Sequence, residues 1–159
     1  MKSNLVSKSE TNDILTDIRE KWDIDIPKSK NLRVYEIQDD AQLISGEGFV
    51  ALKIGNEYLP FLSETSILEK FPHVMVDMGA VKFMCNGANV MRPGIRSYSE
   101  FQKDRIVCVI EESQHKFLAV GKALIDSSEM ESMKKGEVVK NIHYISDKYW
   151  EIGKTAIKN

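Results

Sequence analysis

Apolar and polar positions follow a helical pattern after a short polar start. Residues 1–8 are largely polar, and we expect them to be frayed. Apolar side chains then recur every three or four residues, which predicts a helix over residues 9–22 that buries one stripe. The chain must leave this helix before Pro27, because the residue before a proline avoids helical dihedral angles. The stripe consists of Ile14, Leu15, Ile18 and Trp22, and the candidate N-caps are Ser9, Thr11 and Asn12.

A pattern with a period of two takes over after this helix and predicts strands. The last two strands flank Gly55-Asn56, which is a strong signal for a two-residue hairpin turn. Pro60 lacks an amide hydrogen, so we expect its strand to lie at an edge of the sheet or to be bulged. One helix followed by such a meander is typical of a small α+β domain. The predicted strands are residues 32–37, 41–44, 49–54 and 57–62, with a turn at 38–40 and a short helix over 65–70 after them.

The stretch that organises the second half spans residues 76–96 and reads VDMGAVKFMCNGANVMRPGIR. Asp77 can cap a helix that begins near Met78, and Gly87 gives this helix a natural end. Lys82 and Asn86 lie four residues apart and share its exposed side. A strand over 88–91 follows and is bent at Pro93-Gly94. The side chains that the spacing turns toward a core are Met78, Val81 and either Met84 or Cys85.

Further short strands and one helix complete the predicted second half. Residues 106–110 are apolar without interruption, which indicates a strand buried on both faces. Gly121 inside the next strand indicates a bulge or a close backbone approach. Ser128 and Glu131 have capping-box spacing, so a helix over 126–135 ends at Gly136. Such a set of strands predicts a compact, partly closed barrel. The strands are 106–110, 117–124, 138–139, 142–145 and 149–152.

Composition and charge are those of an ordinary cytosolic protein. The chain has 159 residues, 42% of them hydrophobic and 29% charged, and a net charge of −2. It contains no apolar run that approaches the roughly 18 residues of a transmembrane helix, and its start lacks the apolar core of a signal peptide. Residues 1–74 carry 9 basic and 13 acidic side chains, whereas 75–153 carry 11 of each. A polyanion is therefore expected on a local patch of the second half.

The residues that could carry metal, redox or catalytic chemistry form no recognisable constellation. Cys85 and Cys108 both lie in apolar stretches, which favours buried free thiols over a disulfide. The three histidines are widely scattered, and no metal site or cofactor is predicted. The acid pairs Asp39-Asp40 and Glu111-Glu112 lie at turns, where solvated charge is ordinary. We therefore expect no catalytic residue and no enzymatic activity.

The stretch over 76–96 does offer the groups that grip structured RNA. Such RNA is held through phosphates, 2′-hydroxyls and unstacked bases. Gly87-Ala88 lets the backbone approach closely, and nearby amides and cations supply donors and charge. The residues alone still favour a purely structural interpretation, in which Gly87 is a helix C-cap, Pro93-Gly94 a bend and the cations a solvated rim. The amides are Asn86 and Asn89, and the cations are Lys82, Arg92 and Arg96.

The segment GAVKFMCNGANVMRPGI closely resembles the signature of the PUA domain, an RNA-binding module. The likeness continues through FLAVGKAL, MKKG and VKNIHYISDKYWE. It is similar to archaeal stand-alone proteins, to the malignant T-cell-amplified sequence family and to the C-terminal part of archaeosine tRNA-guanine transglycosylase. The resemblance implies an α+β pre-PUA domain over 1–73, with a helix and a cystatin-like antiparallel meander. A mostly-β PUA pseudo-barrel with two short helices then covers 74–153, and a tail covers 154–159.

The resemblance also implies an RNA-binding protein linked to translation or RNA modification. Its expected ligand is the acceptor stem and CCA end of tRNA or another structured RNA, and the ribosome or a translation factor is a further partner; neither DNA nor a membrane is expected. Two alternatives stay open: a translation-associated adapter between proteins, and a non-catalytic subunit of an RNA-modifying enzyme. Lys103-Asp104-Arg105 departs from the family's Lys-Gly-Asp turn. The implied RNA-contacting residues are Lys82, Asn86, Gly87, Ala88, Asn89, Met91, Arg92, Pro93, Gly94, Arg96 and, on a late hairpin over 145–148, Lys148.

Overall fold

The computed structural model describes residues 1–38 and 40–157, and within them the chain builds two sheets. The first half forms an antiparallel sheet in which the five strands are adjacent in chain order. The hairpin around Gly55-Asn56 is confirmed, and Pro60 lies in the edge strand as predicted. The predicted turn includes Asp39, which lies outside the described residues. The strands are β1 (Ser3–Leu5), β2 (Arg33–Ile37), β3 (Ala41–Gly46), β4 (Phe49–Ile54) and β5 (Glu57–Pro60).

The N-terminal helix α1 spans Lys8–Trp22 and packs its apolar stripe against this sheet. The predicted caps are wrong, because Ser7 is the N-cap and its Oγ accepts from the Glu10 amide at 3.1 Å. Thr11 is buried one turn later, where its Oγ1 accepts from the Leu32 amide at 3.1 Å. The frayed start is wrong as well, because Asn4 pairs with Val34 across β1 and β2.

The second half forms a six-stranded mixed sheet in the order β7-β11-β10-β9-β6-β8. The sheet is mixed because β6 and β9 run parallel, and it curls into a nearly closed barrel. The predicted bulge is confirmed, since the pairing of β10 with β11 shifts between Val120 and Gly121. The strands are β6 (His73–Val76), β7 (Val90–Met91), β8 (Ile95–Tyr98), β9 (Ile106–Glu111), β10 (Phe117–Ala123) and β11 (Glu137–Tyr144).

Short helical turns connect these strands. The link between the sheets is α2 (Thr65–Leu68), and a 3-10 turn at Met78–Ala80 runs into α3 (Val81–Met84). The predicted helix over 126–135 is a shorter 3-10 segment, Ser127–Ser132, and its capping box joins Asp126 to Glu129 instead of Ser128 to Glu131. The α+β half followed by a β pseudo-barrel confirms the predicted fold class, whereas the domain boundary near residue 73 stays a prediction.

The C-terminal end departs most from the sequence-based expectation. The strands predicted at 138–139 and 142–145 are one strand, β11. The strand predicted over 149–152 is a helix, α4 (Lys148–Ala156), so no late hairpin exists there. Asp147 caps this helix by accepting from the Trp150 amide at 2.7 Å. Gly153 lies against side chains of the first half: an added Cβ would approach Phe61 Cζ to 2.4 Å and Leu43 Cδ1 of β3 to 2.9 Å. Packing on the first sheet therefore selects the helix, which continues into the stretch predicted as a tail.

Strand β9 belongs to both hydrophobic cores. Its alternate residues Val107 and Val109 face the interior of the barrel, while Ile106 and Cys108 join the core of the first half. All of β9 is buried, as its uninterrupted apolar sequence predicts. Burial raises the pKa of the Cys108 thiol, which is consistent with a structural, unreactive cysteine. The two sheets therefore share apolar surface along β9 and do not lie side by side as separate units.

A buried histidine ties the two halves together at the end of the seam. His143 of β11 stacks on Phe61 with ring centroids 5.0 Å apart. Its Nε2 accepts from the Leu62 amide at 3.2 Å, so the ring carries its proton on Nδ1 and donates it to Asp147 at 2.8 Å. Asp147 also caps α4, and its Oδ2 accepts from the Tyr144 amide. The His143 side chain thus connects Leu62, just after β5, with Asp147 at the start of α4. Among the described residues, no helix is long and apolar enough to cross a membrane.

Replacing Gly121 should destabilise the barrel at its bulge. A Cβ at this position would lie 1.9 Å from the Lys140 carbonyl oxygen, so β10 and β11 would have to separate. We expect Gly121→Ala to lower the free energy of unfolding by about 2–4 kcal/mol in urea denaturation. A Cβ added at Gly94 would have Ala80 Cβ, at 3.8 Å, as its nearest neighbour. Gly94→Ala should therefore change the free energy of unfolding by less than about 0.5 kcal/mol. Equal free energies of unfolding for the two variants would contradict the close approach of β10 and β11 at Gly121.

Removing the imidazole of His143 should loosen the link between the halves. The variant His143→Ala leaves the buried Leu62 amide without its acceptor and removes one hydrogen bond to Asp147. We expect a loss of about 2–4 kcal/mol in the free energy of unfolding, measured by chemical denaturation. The exposed His115 has a φ of 56°, which asparagine tolerates, so His115→Asn is the control and should be close to neutral. A neutral His143→Ala would show that this link contributes nothing.

Candidate RNA-binding cleft

The first wall of the candidate site is the short helical segment after β6. Asp77 Oδ1 accepts from the Ala80 amide at 3.0 Å, as the sequence predicts for its cap. The segment then continues from the 3-10 turn into α3. Met84 is its buried anchor in the barrel core. Met78 was predicted to face the core, but 49% of its surface is exposed. The prediction is wrong because the first turn is 3-10, and its tighter winding rotates Met78 away from the side that Met84 occupies.

The turn between α3 and β7 is fixed by a close fit around Gly87. This residue has φ +89°, and an added Cβ would meet the Tyr144 ring at 3.1 Å. A glycine is therefore required both by the backbone angle and by the space. Asn141 of β11 completes the turn, because its Nδ2 donates to the carbonyl oxygens of Met84 and Ala88, each at 3.1 Å. Helix α3 and strand β7 are thus held at a fixed separation.

Asn89 holds the second wall in place. Its Oδ1 accepts from the Asn141 amide at 3.0 Å, and its Nδ2 donates to the Glu137 carboxylate. Both polar atoms of the amide are therefore occupied by β11. Asn86, by contrast, is exposed at the end of α3. Of the two amides expected to contact RNA, the structure leaves Asn86 accessible and gives Asn89 a structural role.

Arg92 supports the bend that closes the second wall. The 3-10 segment Arg92–Gly94 turns the chain from β7 into β8, as Pro93-Gly94 predicts. The Arg92 guanidinium donates from Nε to the Met130 carbonyl oxygen at 2.9 Å and from Nη1 to the Ile95 carbonyl oxygen at 3.4 Å. The side chain is half-buried. It braces the bend against the 3-10 segment Ser127–Ser132.

Between the two walls lies an apolar cleft of about 400 Å³. Its lining offers only two polar side chains, those of Asp77 and Asn89, and each is already hydrogen-bonded within the protein. The cleft therefore presents carbon surface rather than free donors and acceptors. The lining residues are Val76, Asp77, Gly79, Ala80, Phe83, Met84, Ala88, Asn89, Val90, Met91 and Gly94.

Two exposed apolar side chains, Phe83 and Met91, belong to the lining of this cleft, and a third, Met78, is next to lining residues in the chain. Phe83 is 53% exposed and Met91 48%, and Met78 lies at the start of the same helical wall. Large apolar side chains grouped at one opening are typical of a binding surface. Sequence reasoning missed Phe83, although one signal was available: it is an aromatic residue next to Lys82, off the stripe that Val81 and Met84 define.

Two exposed cations lie close to residues of the cleft walls. The Lys82 ammonium lies 5.2 Å from the centroid of the Phe83 ring. Arg96 is 60% exposed and lies 3.7 Å from a Glu112 carboxylate oxygen. The other oxygen of Glu112 accepts from the Met78 amide at 2.9 Å and so steadies the first helical turn. The cleft thus combines an apolar slot with positive charge at its margins.

The turn over 145–148 also lies beside this site. Ser146 Oγ donates to the Cys85 carbonyl oxygen at 3.0 Å, which joins the turn to the end of α3. Lys148 follows as the first residue of α4, not as part of a hairpin, and its ammonium lies 5.2 Å from the Tyr149 ring centroid. In residues 1–38 and 40–157, no group of three or more His, Cys, Asp or Glu side chains could hold a metal ion.

Comparison with known proteins identifies the domain that carries the cleft. Residues 72–145 match the PUA domain. A protein of Methanocaldococcus jannaschii is 36% identical over 79% of this chain and 78% of its own length. Translation machinery-associated protein 20 of Saccharomyces cerevisiae is 32% identical over 79% of this chain and 74% of its own. Human malignant T-cell-amplified sequence 2 is 30% identical over 80% and 74%.

The likeness extends to the three-dimensional structure of both halves. The crystal structure of a protein from Pyrococcus horikoshii superposes with a TM-score of 0.78 and is 25% identical. It covers 95% of this chain and 99% of its own, so the first sheet and the barrel are both included. The chain therefore belongs to the family of PUA-domain proteins that includes translation machinery-associated protein 20 and the malignant T-cell-amplified sequence proteins.

Proposed function

We propose that this protein binds structured RNA and that the cleft between α3 and β7 receives an unpaired base or strand end. The ligand we favour is the CCA end and acceptor stem of tRNA. The observation that carries the proposal is the apolar cleft whose lining includes the exposed side chains of Phe83 and Met91, with the Lys82 ammonium beside the Phe83 ring. A PUA domain over residues 72–145 supports RNA as the ligand.

The cleft is suited to a base that has left its stack. A base has two flat, weakly polar faces, and RNA-binding proteins hold such bases by stacking them on aromatic side chains. Phe83 offers this surface at the rim, with Met91 on the facing wall. Because the amide of Asn89 is engaged by β11, it is not free to read base edges. Recognition inside the cleft therefore relies on shape and stacking.

The flanking cations account for the phosphates on either side of that base. Lys82 and Arg96 are exposed, so each can reach a backbone phosphate without leaving a buried partner behind. Asn86 can add hydrogen bonds to a sugar or a phosphate. Arg92 is a weaker candidate for a direct contact, because its guanidinium already donates to two backbone carbonyl oxygens. It positions the wall that carries Met91.

The cellular role that we propose is cytoplasmic and lies beside the translation machinery. It rests on the family, since relatives that are at least 30% identical over most of both chains include a translation machinery-associated protein. The proposal assigns binding and no catalytic step to the protein. The polar side chains that line the cleft, Asp77 and Asn89, are hydrogen-bonded within the protein, and this geometry supports a binding surface.

Shortening Phe83 should weaken binding of an unpaired RNA end. The probes are an RNA hairpin with a single-stranded 3′ CCA overhang and the same hairpin with a blunt end. Stacking is worth about 1–3 kcal/mol per base, so Phe83→Ala should lower affinity for the overhang RNA by about 5- to 150-fold, measured by fluorescence anisotropy. The blunt hairpin should be bound almost as before. Leu5 of β1 is 59% exposed, so Leu5→Ala is the control. Equal affinities of Phe83→Ala and Leu5→Ala for the overhang RNA would show that the cleft does not bind RNA.

Neutralising the flanking cations should act on the salt dependence instead. Each phosphate contact contributes about one unit to the slope of log affinity against log salt. We expect Lys82→Gln with Arg96→Gln to reduce this slope by about 1–2 between roughly 50 and 200 mM salt. The exposed pair Lys28→Gln with Lys30→Gln has the same change in charge and should leave the slope unaltered. Arg92 is omitted because its loss would also disturb the bend. An unchanged slope would show that neither cation contacts phosphate.

A further inference from the structure

A second cationic surface runs along the seam between the two sheets. Two neighbouring cavities of about 400 and 370 Å³ share Lys21, Arg105 and Ile106 and so form one continuous groove. Their lining contains five cations and three carboxylates, a net charge of +2 on a chain whose total is −2. The cations are Lys21, Lys70, Lys103, Arg105 and Lys122, and the acids are Asp23, Glu57 and Asp104.

The floor of this groove is uncharged and rigid. Tyr58 is buried in the groove, and the ammonium groups of Lys21 and Lys53 lie 5.1 and 5.6 Å from its ring centroid. Burial, together with the nearby Asp17 carboxylate, raises the pKa of Tyr58, so its phenol stays un-ionised at neutral pH. Lys21 also donates to the Asn56 carbonyl oxygen at 3.0 Å. These contacts hold positive charge over a fixed aromatic surface.

Two of the cations remain available for a ligand. Lys122 pairs with Glu57, and Lys70 donates to the Asp25 carbonyl oxygen at 3.1 Å. Lys103 and Arg105 are exposed, and neither has an ion-pair partner in the part of the chain that the structure describes. They stand in the Lys103-Asp104-Arg105 turn, where Asp104 adopts φ +71°.

The groove reaches toward the cleft across the barrel sheet. Lys122 of β10 lies directly opposite Lys140 of β11, which places the two side chains on one face. Val139, the residue before Lys140 in β11, pairs with Val90 in the wall of the cleft, and its buried side chain lies on the opposite face of the sheet from Lys140. Neighbouring strands are about 4.8 Å apart, so β10 and β7 are separated by roughly 10 Å. The strand at the groove and the strand in the wall of the cleft are therefore two strand spacings apart in one sheet.

We propose that the seam groove binds the phosphate backbone of an RNA duplex whose unpaired end occupies the cleft. This inference rests on the proposed function for the identity of the polyanion. The chemistry of the groove favours RNA over an acidic protein segment, because the binding energy of protein interfaces is concentrated in a few residues, among which large aromatic side chains are prominent. Here Trp22, Tyr58, Phe71 and Ile106 are all buried. Cations without apolar anchors are suited to phosphates, whose binding is dominated by release of counterions.

The test uses the full chain and the two hairpins already described. Neutralising Lys103 and Arg105 together, as Lys103→Gln with Arg105→Gln, should lower affinity for both hairpins about tenfold and reduce the salt slope by about 1–2. The loss should be equal for the overhang and blunt forms, because the groove contacts the stem. A variant of the cleft, Phe83→Ala, should change only the preference for the overhang.

The control pair is Lys28→Gln with Lys30→Gln. These lysines neighbour Ser29, whose Oγ accepts from the Glu47 amide at the turn between β3 and β4, the opposite end of the first sheet from Asn56. Thermal melting should show that both pairs of substitutions leave the fold intact, since none of the four side chains is buried. Groove and control variants with the same affinity and salt slope would overturn the groove proposal alone.

Three further outcomes separate the proposals. A wild-type protein that binds neither hairpin would reject the proposed function, and the RNA groove with it. Binding of a poly-glutamate peptide that the groove variant loses, with RNA affinity unchanged, would assign the groove to an acidic protein segment and overturn its assignment to RNA. A loss of RNA affinity in the groove variant alone, with Phe83→Ala unchanged on both hairpins, would support the groove and reject the cleft.

Discussion

Burial of β9 on both faces is the constraint on which the rest of the structure depends. Val107 and Val109 require the interior of the barrel, while Ile106 and Cys108 require the core of the first half. Neither half can therefore be removed without exposing apolar surface of the other, which costs about 25 cal/mol per Å². The contact of His143 with the Leu62 amide adds direction to this burial, because a hydrogen bond fixes how the two halves meet. The groove along the seam is consequently a fixed feature.

The bulge at Gly121 links this framework to the cleft. Gly121 lies opposite Asn141 on β11, and the absence of a Cβ lets the two backbones approach closely. Asn141 then contacts both walls. Its side-chain Nδ2 donates to the carbonyl oxygens of Met84 and Ala88, and its backbone N–H donates to Asn89 Oδ1. A binding site gains affinity when its walls are held before the ligand arrives. The barrel thus supplies a preformed slot whose two polar lining side chains, Asp77 and Asn89, are already hydrogen-bonded, with the exposed apolar rim left for the ligand.

Local patterns predicted the elements whose burial repeats along the chain. Residues close together in the sequence suffice to predict three such elements: the stripe of α1, the hairpin at Gly55-Asn56 and the buried strand β9. They do not suffice for the helix α4, because Tyr149 and Trp150 have high β-propensity and the helix depends on its cap and on contact of Gly153 with Phe61, about ninety residues away. In the site, the glycine and proline positions followed from backbone geometry. The exposure of Phe83 and the engagement of Asn89 and Arg92 did not, since each depends on distant strands.

The distribution of charge explains how a chain of net charge −2 can serve as an RNA-binding protein. Affinity for RNA depends on the cations that meet phosphates, not on the total charge, and screening confines each charge to about 10 Å. Acidic side chains elsewhere, such as those of the first half, therefore weaken binding little if they face away. They also oppose unspecific adsorption of nucleic acid on the remaining surface. Cations concentrated at the cleft and along the seam would then select RNA by the path between the two sites, which an unpaired end adjoining a helical stem can follow.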